Sequence, residues 1–257
     1  MSESRFRDHF SGHASAYSRY RPQYPQELFQ WLASLAPSRV RAWDCATGNG
    51  QAAVALAQLF EEVVATDASA EQLAVARVHT RVRYHQRTAS KSGLADHDVD
   101  LVTIAQAMHW FDPAPFHREL TRVVRPGGIL AAWCYELFSV DPAFDTVMLE
   151  LYHDILGEDW PPQRRHVDTG YREISWPWPR MDTPPFEMAC AWSLEQTLGY
   201  IRTWSASQRW RAREGSDPIA LVAARLTEAW GTARTRSVRW PLKLLVSRLS
   251  GDAPGSL

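Results

Sequence analysis

The chain has 257 residues and a mass of 29.2 kDa. Hydrophobic residues make up 45% of the sequence and charged residues 22%. This length and balance predict one large globular domain, or one domain with an insertion, and exclude disordered, collagen-like and coiled-coil classes. The formal charge of −1 argues against a dedicated nucleic-acid-binding protein. Residues 200–257 carry ten basic and four acidic side chains, which indicates a solvated basic face or a site for a small anion.

Targeting and metal-binding signals are weak. The sequence contains no apolar run of about 18 residues, the length that crosses a bilayer, and its polar start lacks the apolar stretch of a signal peptide. Cys45, Cys134 and Cys190 are far apart, which fits neither a disulfide framework nor a zinc site. We therefore expect a cytoplasmic protein that contacts no membrane and holds no metal.

The first half of the chain alternates strands with helices. Spaced apolar residues predict a helix that ends near Pro37, and later helices start at 51, after a capping box at Ser69, and after Asp112. Strands are predicted at 40–44, 62–67, 82–86, 99–106 and 129–134. This alternation implies an α/β fold with a doubly wound, mostly parallel sheet.

The second half has a softer pattern. A helix is predicted over 142–156, helices again over 195–206 and 216–230, and strands over 186–194 and 238–246. Pairing of the last strand should begin after Pro241, because proline cannot donate a ladder hydrogen bond. Residues 157–185 are rich in Pro and Trp and are expected to form a lid or substrate wall. The predicted units are a cap (1–37), a ligand-binding core (38–135), a helix and lid (136–185), and the segment that completes the sheet (186–257).

One loop decides the ligand. The run from Asp44 to Gly50 joins a strand to a helix, and Asp67 ends the next strand. Glycines let a backbone approach a ligand, the helix start presents free N–H groups, and the second acid is placed to accept hydrogen bonds from ribose hydroxyls. A nucleoside ligand is therefore predicted.

Two nucleoside ligands compete at this loop. Residues 48–53 also match G-x-G-x-x-A, the dinucleotide fingerprint. Asp44 would repel a pyrophosphate but attract the sulfonium and ammonium of S-adenosylmethionine, a difference of about 4 kcal/mol either way at ~4 Å and an effective dielectric of ~20. Electrostatics thus favours the methyl donor over NAD.

Four motifs in order resemble the class I S-adenosylmethionine-dependent methyltransferases: AWDCATGNGQAA at 42–53, ATDAS at 65–69, AMHWFD at 107–112 and RPGG at 125–128. Within that family the sequence is most similar to the trans-aconitate methyltransferase-like branch, whose N-terminal segment over the donor resembles YSRYRPQYP at 17–25. The resemblance covers residues 8–135 well and 194–249 more loosely. It implies a Rossmann-like, seven-stranded sheet with an N-terminal helical cap.

The resemblance also implies a set of donor contacts: Asp44, Ala46, Gly48, Gly50, Asp67, Ala68, Ala89, Ser90, Gln106, Tyr17 and Arg21. Among these, Asp67 would bind ribose, Ala68, Ala89 and Ser90 would lie at adenine, and the segment from Gln106 to Trp110 would meet the acceptor. Ala46 stands where the family pattern has its first glycine, at a cost of about 1 kcal/mol if its φ is positive.

Several of these residues have a simpler interpretation. Asp67 could only cap the following helix, and Asp44 could only receive loop N–H groups. His109 is a candidate general base if the acceptor is a hydroxyl or an amine, and otherwise lines the acceptor pocket with Trp110 and Trp204. Trp176 and Trp178 are candidates for either lid packing or substrate contact.

The sequence therefore predicts a methyltransferase with a small-molecule acceptor, a carboxylate oxygen being one such acceptor, in a monomer or weak homodimer without nucleic acid. A carboxylate needs no base, because it is ionised at neutral pH. The alternatives are a catalytically silent S-adenosylmethionine-binding regulatory protein, which Ala46 permits, a nucleic-acid methyltransferase, or an NAD-dependent dehydrogenase. A base-amino methyltransferase usually carries an Asn/Asp-Pro-Pro-aromatic turn, where residues 106–109 here are QAMH.

Overall fold

The computed structural model describes residues 22–250, so Tyr17 and Arg21 lie outside the described residues. A seven-stranded sheet forms the centre of the molecule, in the order β3-β2-β1-β4-β5-β7-β6. Its strands are β1 Arg41–Cys45, β2 Glu62–Asp67, β3 Val82–Gln86, β4 Val99–Ala105, β5 Val124–Tyr135, β6 Glu187–Trp192 and β7 Arg236–Arg248. The first five run parallel, whereas β7 is antiparallel to both of its neighbours. The predicted α/β fold with a mostly parallel sheet is confirmed.

Nine α-helices of the described chain surround this sheet: α1 Gln26–Leu35, α2 Gln51–Leu56, α3 Ala70–Ala74, α4 Pro113–Val123, α5 Pro142–Leu149, α6 Arg164–Asp168, α7 Leu194–Arg202, α8 Ser205–Glu214 and α9 Ala223–Trp230. Helix α5 continues as a π-helical segment, Glu150–Ile155, and short 3-10 turns occupy Met108–Trp110, Gly157–Asp159 and Pro218–Leu221. Ser69 caps α3 by accepting the Gln72 N–H, as predicted, whereas the Asp112 carboxylate makes no capping hydrogen bond to α4.

The prediction of one helix over 216–230 is wrong. Asp217 accepts the N–H of Ile219 and starts a 3-10 turn, and Val222, with φ of −122°, separates that turn from α9. Apolar periodicity runs through both pieces, so it could not show the break.

The expected start of pairing after Pro241 is also wrong. Strand β7 pairs with β6 over 236–241 and with β5 over 242–248. The N–H of Leu242 points to β6, where it donates to Phe186 O. Because successive amides of a strand point to opposite sides, the nitrogen of Pro241 points to the β5 side, just beyond the last β5 pair at Tyr135. The missing donor therefore falls where no ladder bond is needed.

Two buried clusters cover the two faces of the sheet, one beneath α1, α2 and the C-terminal helices, the other beneath α4 and the 157–185 segment. Strands β4 and β5 are buried on both faces, which explains their near-continuous apolar sequence. The 157–185 segment is tied to β7, since Met181 N donates to Val246 O and Trp176 Nε1 to Ser247 Oγ. Among residues 22–250, no helix combines the length and apolarity needed to cross a membrane.

Candidate functional site

The glycine-containing loop between β1 and α2 is a tight turn held by its own backbone. Thr47 N donates to Thr66 O at 2.9 Å, and Gly50 N donates to Thr47 O at 3.0 Å. Positive φ angles occur at Ala46 (55°), Gly48 (57°) and Gly50 (78°). Ala46 therefore has the left-handed conformation that glycine adopts more easily, which costs the fold about 1 kcal/mol.

Gly50 is required by a close approach as well as by its φ. A Cβ atom at this position would lie 2.1 Å from the hydroxyl oxygen of Tyr84 on β3. That hydroxyl is held in place because it donates to Arg77 O at 2.7 Å. The loop thus has no room for a side chain at its junction with α2.

Asp44 lies behind the loop and is fully buried. Its two oxygens accept hydrogen bonds from the hydroxyls of Thr47 and Thr103, at 2.5 and 2.7 Å. Burial raises the pKa of Asp44 to about 6, although both hydroxyl contacts favour the ionised form. At neutral pH the loop is backed by a negative charge.

Asp67 joins the loop to the end of β2. One carboxylate oxygen accepts the N–H of Gly48 at 2.8 Å, and the other accepts the N–H of Ser69 at 2.9 Å. The second bond is made to the N-cap residue of α3, so Asp67 also helps to start that helix, as the simpler interpretation predicted. The first bond places the acid within reach of the loop, which is where a ribose acid of a nucleoside site must lie.

The predicted adenine residues follow the two neighbouring strand ends. Ala68 comes directly after β2 and its carbonyl accepts from Gln86 Nε2 at 3.1 Å. Ala89 and Ser90 occupy the turn after β3, which is closed by a bridge between Thr88 and Lys91. Since β2 and β3 are parallel neighbours, these residues lie at one edge of the sheet.

Gln106 turns the chain out of β4 with φ of 60°. Its side-chain amide donates to Tyr135 O at 3.2 Å and accepts from Tyr135 N at 3.1 Å, so it joins the ends of β4 and β5. Both ends of the Gln106 side-chain amide are therefore engaged in hydrogen bonds within the fold. Its backbone directs the next residues, the Met108–Trp110 turn, across the carboxyl edge of the sheet.

His109 on that turn contacts a partner that the sequence did not reveal. Its Nδ1 lies 3.0 Å from the hydroxyl of Tyr171, a fully buried residue with φ of 62°. Burial lowers the pKa of His109 to about 3, helped by the positive charge of Arg164. Burial also raises the pKa of Tyr171 well above its usual value. Tyr171 lies in a segment without hydrophobic periodicity. Its neighbour Gly170, a turn-forming residue, was the only nearby sequence feature that indicated local structure.

Tyr152, Trp160 and Trp204 form an aromatic wall near this turn. Trp204 packs on Tyr152 and Trp160, with ring centroids 5.8 and 5.6 Å apart, and Arg164 lies over the Tyr152 and Trp160 rings. Trp110 contacts the His109 ring at 4.7 Å. The structure thus places Trp110 with His109 and places Trp204 in the wall around Arg164. Trp176 and Trp178 pack elsewhere, Trp178 against His117.

Half of the basic side chains of residues 200–257 are paired with carboxylates within the described fold. Five of the ten cations form ion pairs: Arg202 and Arg211 with Asp217, Arg213 with Asp159, Arg225 with Glu150, and Arg236 with Asp141. Within residues 22–250, no group of three or more His, Cys, Asp or Glu side chains is arranged around a metal position.

Known proteins share this sequence and fold. The family described as "Methyltransferase domain" matches residues 43–132. A solved structure from Anaeromyxobacter dehalogenans, named as a candidate type II methyltransferase, is 46% identical, covers 89% of this chain and 97% of its own, and superposes with a TM-score of 0.84. A Dictyostelium discoideum protein, named as a candidate methyltransferase, is 28% identical over 253 residues, 95% of this chain and 96% of its own length.

A more distant relative has a defined substrate in its name. The tRNA 5-carboxymethoxyuridine methyltransferase of Escherichia coli K12 is 27% identical over 169 residues, which cover 59% of this chain and 65% of that protein. The match leaves about two fifths of this chain and about a third of that protein unmatched.

Proposed function

The chain belongs to the class I S-adenosylmethionine-dependent methyltransferases, and we propose that it methylates a small-molecule acceptor, preferentially at a carboxylate oxygen. When bound, S-adenosylmethionine supplies a methyl group activated by a sulfonium. The single observation that supports a carboxylate acceptor is the low pKa of His109, which burial lowers to about 3, so that its imidazole is a poor general base.

The loop residues fit such a donor. The buried side-chain oxygens of Asn49 and Gln51, beside Gly48 and Gly50, have no hydrogen-bond partner among the described residues. Unsatisfied buried acceptors favour a ligand that brings N–H or O–H groups, as the ammonium and ribose of the donor do. Asp44 would attract the donor's positive charge from behind the loop, and Asp67 would bind ribose.

Three titratable groups at the acceptor end have pKa values far from neutrality. The pKa of His109 is about 3, burial raises that of Cys134 to about 12, and burial also raises that of Tyr171 well above its usual value. An imidazole whose conjugate acid has so low a pKa is a weak acceptor for a hydroxyl proton, and the thiol and phenol stay protonated. The favoured nucleophile is one that arrives ionised.

A carboxylate meets this requirement and gains from a dry site. One of its oxygens would form the new bond to the methyl carbon while the carbon–sulfur bond breaks and its electron pair stays on sulfur, so an anion and a cation become neutral products. Excluding water favours this charge-neutralising step. His109, Trp110 and the buried Tyr171 would exclude water and orient the acceptor.

Two measurements test the proposal. Isothermal titration should show binding of S-adenosylhomocysteine at micromolar concentrations; NADH binding in its place would overturn the donor assignment. Incubation of protein and S-adenosylmethionine with a panel of small acids, and with their alcohols and amines, should give methyl esters by mass spectrometry. Selective methylation of the amines or alcohols would overturn the carboxylate preference.

A second candidate function follows from the tRNA-modifying relative, whose name places a carboxyl group on its nucleoside. The acceptor carboxylate would then be part of an RNA base. The paired cations of residues 200–257 speak against a phosphate-binding face. Transfer to tRNA in preference to every small acid, with binding that survives moderate salt, would favour this candidate. Donor binding without turnover on any acceptor would favour a silent regulatory protein.

A further inference from the structure

Arg164 is a cation placed beside the acceptor end. It begins α6, the short helix that contacts the Met108–Trp110 turn. Its charge helps to lower the pKa of His109 on that turn, and it opposes the burial that raises the pKa of Cys134 on β5. Arg164 therefore lies between the aromatic rings that it covers and a helix that contacts the turn after β4.

One edge of this guanidinium is held by the protein and the other is open. Its Nε donates to the Tyr152 hydroxyl at 2.7 Å and to the Asp168 carboxylate at 3.1 Å. The two terminal nitrogens have no hydrogen-bond partner among residues 22–250. Neither is a buried polar atom without a partner, so both are accessible to a ligand. A guanidinium fixed through Nε presents its remaining N–H groups in the fork that matches a carboxylate.

Aromatic rings limit what can approach this fork. The guanidinium carbon lies 4.9 Å from the Trp160 ring centroid and 5.5 Å from that of Tyr152, and Trp204 packs on both rings. Arg164 also lines a cavity of about 260 Å³ together with Tyr152, Trp160 and Pro161. Flat aromatic walls favour flat, apolar groups next to the anion.

We propose that Arg164 binds the carboxylate of the acceptor, and that the acceptor is a planar, apolar acid such as an aromatic or conjugated monocarboxylate. This inference rests on the proposed function and specifies its substrate class. The Nε contacts fix the guanidinium, its terminal nitrogens take the anion, and the Tyr152–Trp160–Trp204 wall selects the carbon skeleton.

The matched control is the next residue. Arg165 lines the same cavity, but its side chain is 70% exposed and pairs at 3.7 Å with Glu173. It contributes the same charge in the same cavity without a fixed guanidinium. A difference between the two arginines therefore reports the fixed geometry and the aromatic wall rather than general attraction of anions.

The experiment measures binding of benzoate and cinnamate, and of the neutral benzamide and cinnamamide, to protein saturated with S-adenosylhomocysteine. Wild type should bind each acid at least about tenfold more tightly than its amide. Arg164→Gln should lose at least about tenfold of the affinity for the acids, Arg164→Lys about threefold or more, and Arg165→Gln less than about twofold. Unchanged S-adenosylhomocysteine affinity and melting temperature establish that the variants are folded.

A second variant keeps the inference testable if Arg164→Gln does not fold. Asp168→Asn keeps an oxygen that can accept from Nε, so the guanidinium stays fixed, but it removes a negative charge that lines the same cavity. It should therefore tighten acid binding, and a weaker affinity would contradict the inference. Equal affinity for acids and amides, or an Arg164→Gln affinity like wild type, would overturn it. Because binding is measured without turnover, Arg164-dependent binding without methylation of any acid would overturn the proposed function alone.

Discussion

The donor end and the acceptor end of the site are built differently. At the donor end, the loop between β1 and α2 is fixed by short-range backbone contacts, and Asp67 contributes by accepting two backbone N–H groups. At the acceptor end, side chain packs on side chain, and His109 meets Tyr171 across 62 positions of sequence. The comparison teaches that the donor end tolerates little change in backbone shape, whereas the acceptor end can change its substrate by exchanging side chains.

The largest expected effect follows from the backbone requirement at Gly50. Gly50→Ala should cost about 3 kcal/mol or more of unfolding free energy and about a hundredfold in donor affinity, since the new Cβ collides with Tyr84 at a positive φ. Chemical denaturation and titration with S-adenosylhomocysteine measure both. The control is Gly215→Ala, where φ is 67° and nothing lies within 4 Å; it should cost only about 1 kcal/mol.

Asp67→Ala should weaken donor binding by at least about tenfold, because it removes both the ribose acceptor and the anchor of Gly48 N–H. Titration of the variant with S-adenosylhomocysteine and with an analogue that lacks the ribose hydroxyls separates these roles. If the two ligands lose affinity equally, Asp67 acts only on the loop. A larger loss for the natural ligand supports the ribose role.

Donor affinity should fall by about tenfold from about pH 7.5 to about pH 5, because protonation of Asp44 removes the charge behind the loop. Burial raises the folded-state pKa to about 6 from a usual 3.8, so the protonated carboxyl favours folding at low pH, and this contribution is lost as the pH rises through about 6. Titration with S-adenosylmethionine at several pH values measures the affinity. Asp44→Asn should bind weakly at every pH, and a remaining slope would assign the dependence to another group.

At the acceptor end, His109→Asn should lower kcat by less than about fivefold and leave its pH profile unchanged, since asparagine can still accept from Tyr171 and no base is required. A full acid panel with steady-state kinetics tests this expectation. A loss of about a hundredfold or more, together with the disappearance of a basic limb in the profile, would restore His109 as the general base.

The smallest effect has the opposite sign. Ala46→Gly should stabilise the chain by about 1 kcal/mol, because it relieves a side chain held at φ of 55°. Urea denaturation measures the change, and Ala55→Gly in α2 is the control, with an expected loss of about 1 kcal/mol. Destabilisation by Ala46→Gly would show that the Ala46 side chain contributes packing that outweighs its strain.

The parallel half of the fold could be predicted because its signals are local. Asp44, the glycines and Asp67 follow one another within a short stretch, and the hydrophobic period changes clearly between strands and helices. The contact of Asp67 with the start of the following helix was anticipated, since its carboxylate accepts the Ser69 N–H, whereas its hydrogen bond from Gly48 N–H was not. The positive φ of Ala46 followed from the motif that it interrupts.

The acceptor end could not be predicted in the same way. Arg164 and Tyr171 come from a segment without a hydrophobic period, and Tyr152 comes from the end of the helix predicted over 142–156. Their positions depend on how residues 150–171 fold back over the sheet. The basic surplus of residues 200–257 suggested an anion site, yet its ion-pair partners Asp141, Glu150 and Asp159 lie far away in sequence. Charge counts along a chain do not show which charges will meet.

The position of β7 between β5 and β6 has a consequence for the newly made chain. On a ribosome, β1 to β5 can assemble as soon as they emerge, but β5 keeps an open edge until residues 236–248 are available. Until then β6 has no strand to pair with, and the 157–185 segment lacks its anchors at Val246 and Ser247. A ribosome that stalls before residue 236 would therefore hold a chain with a finished β1–α2 loop, an exposed sheet edge and an unanchored 157–185 segment, a species that chaperones would recognise.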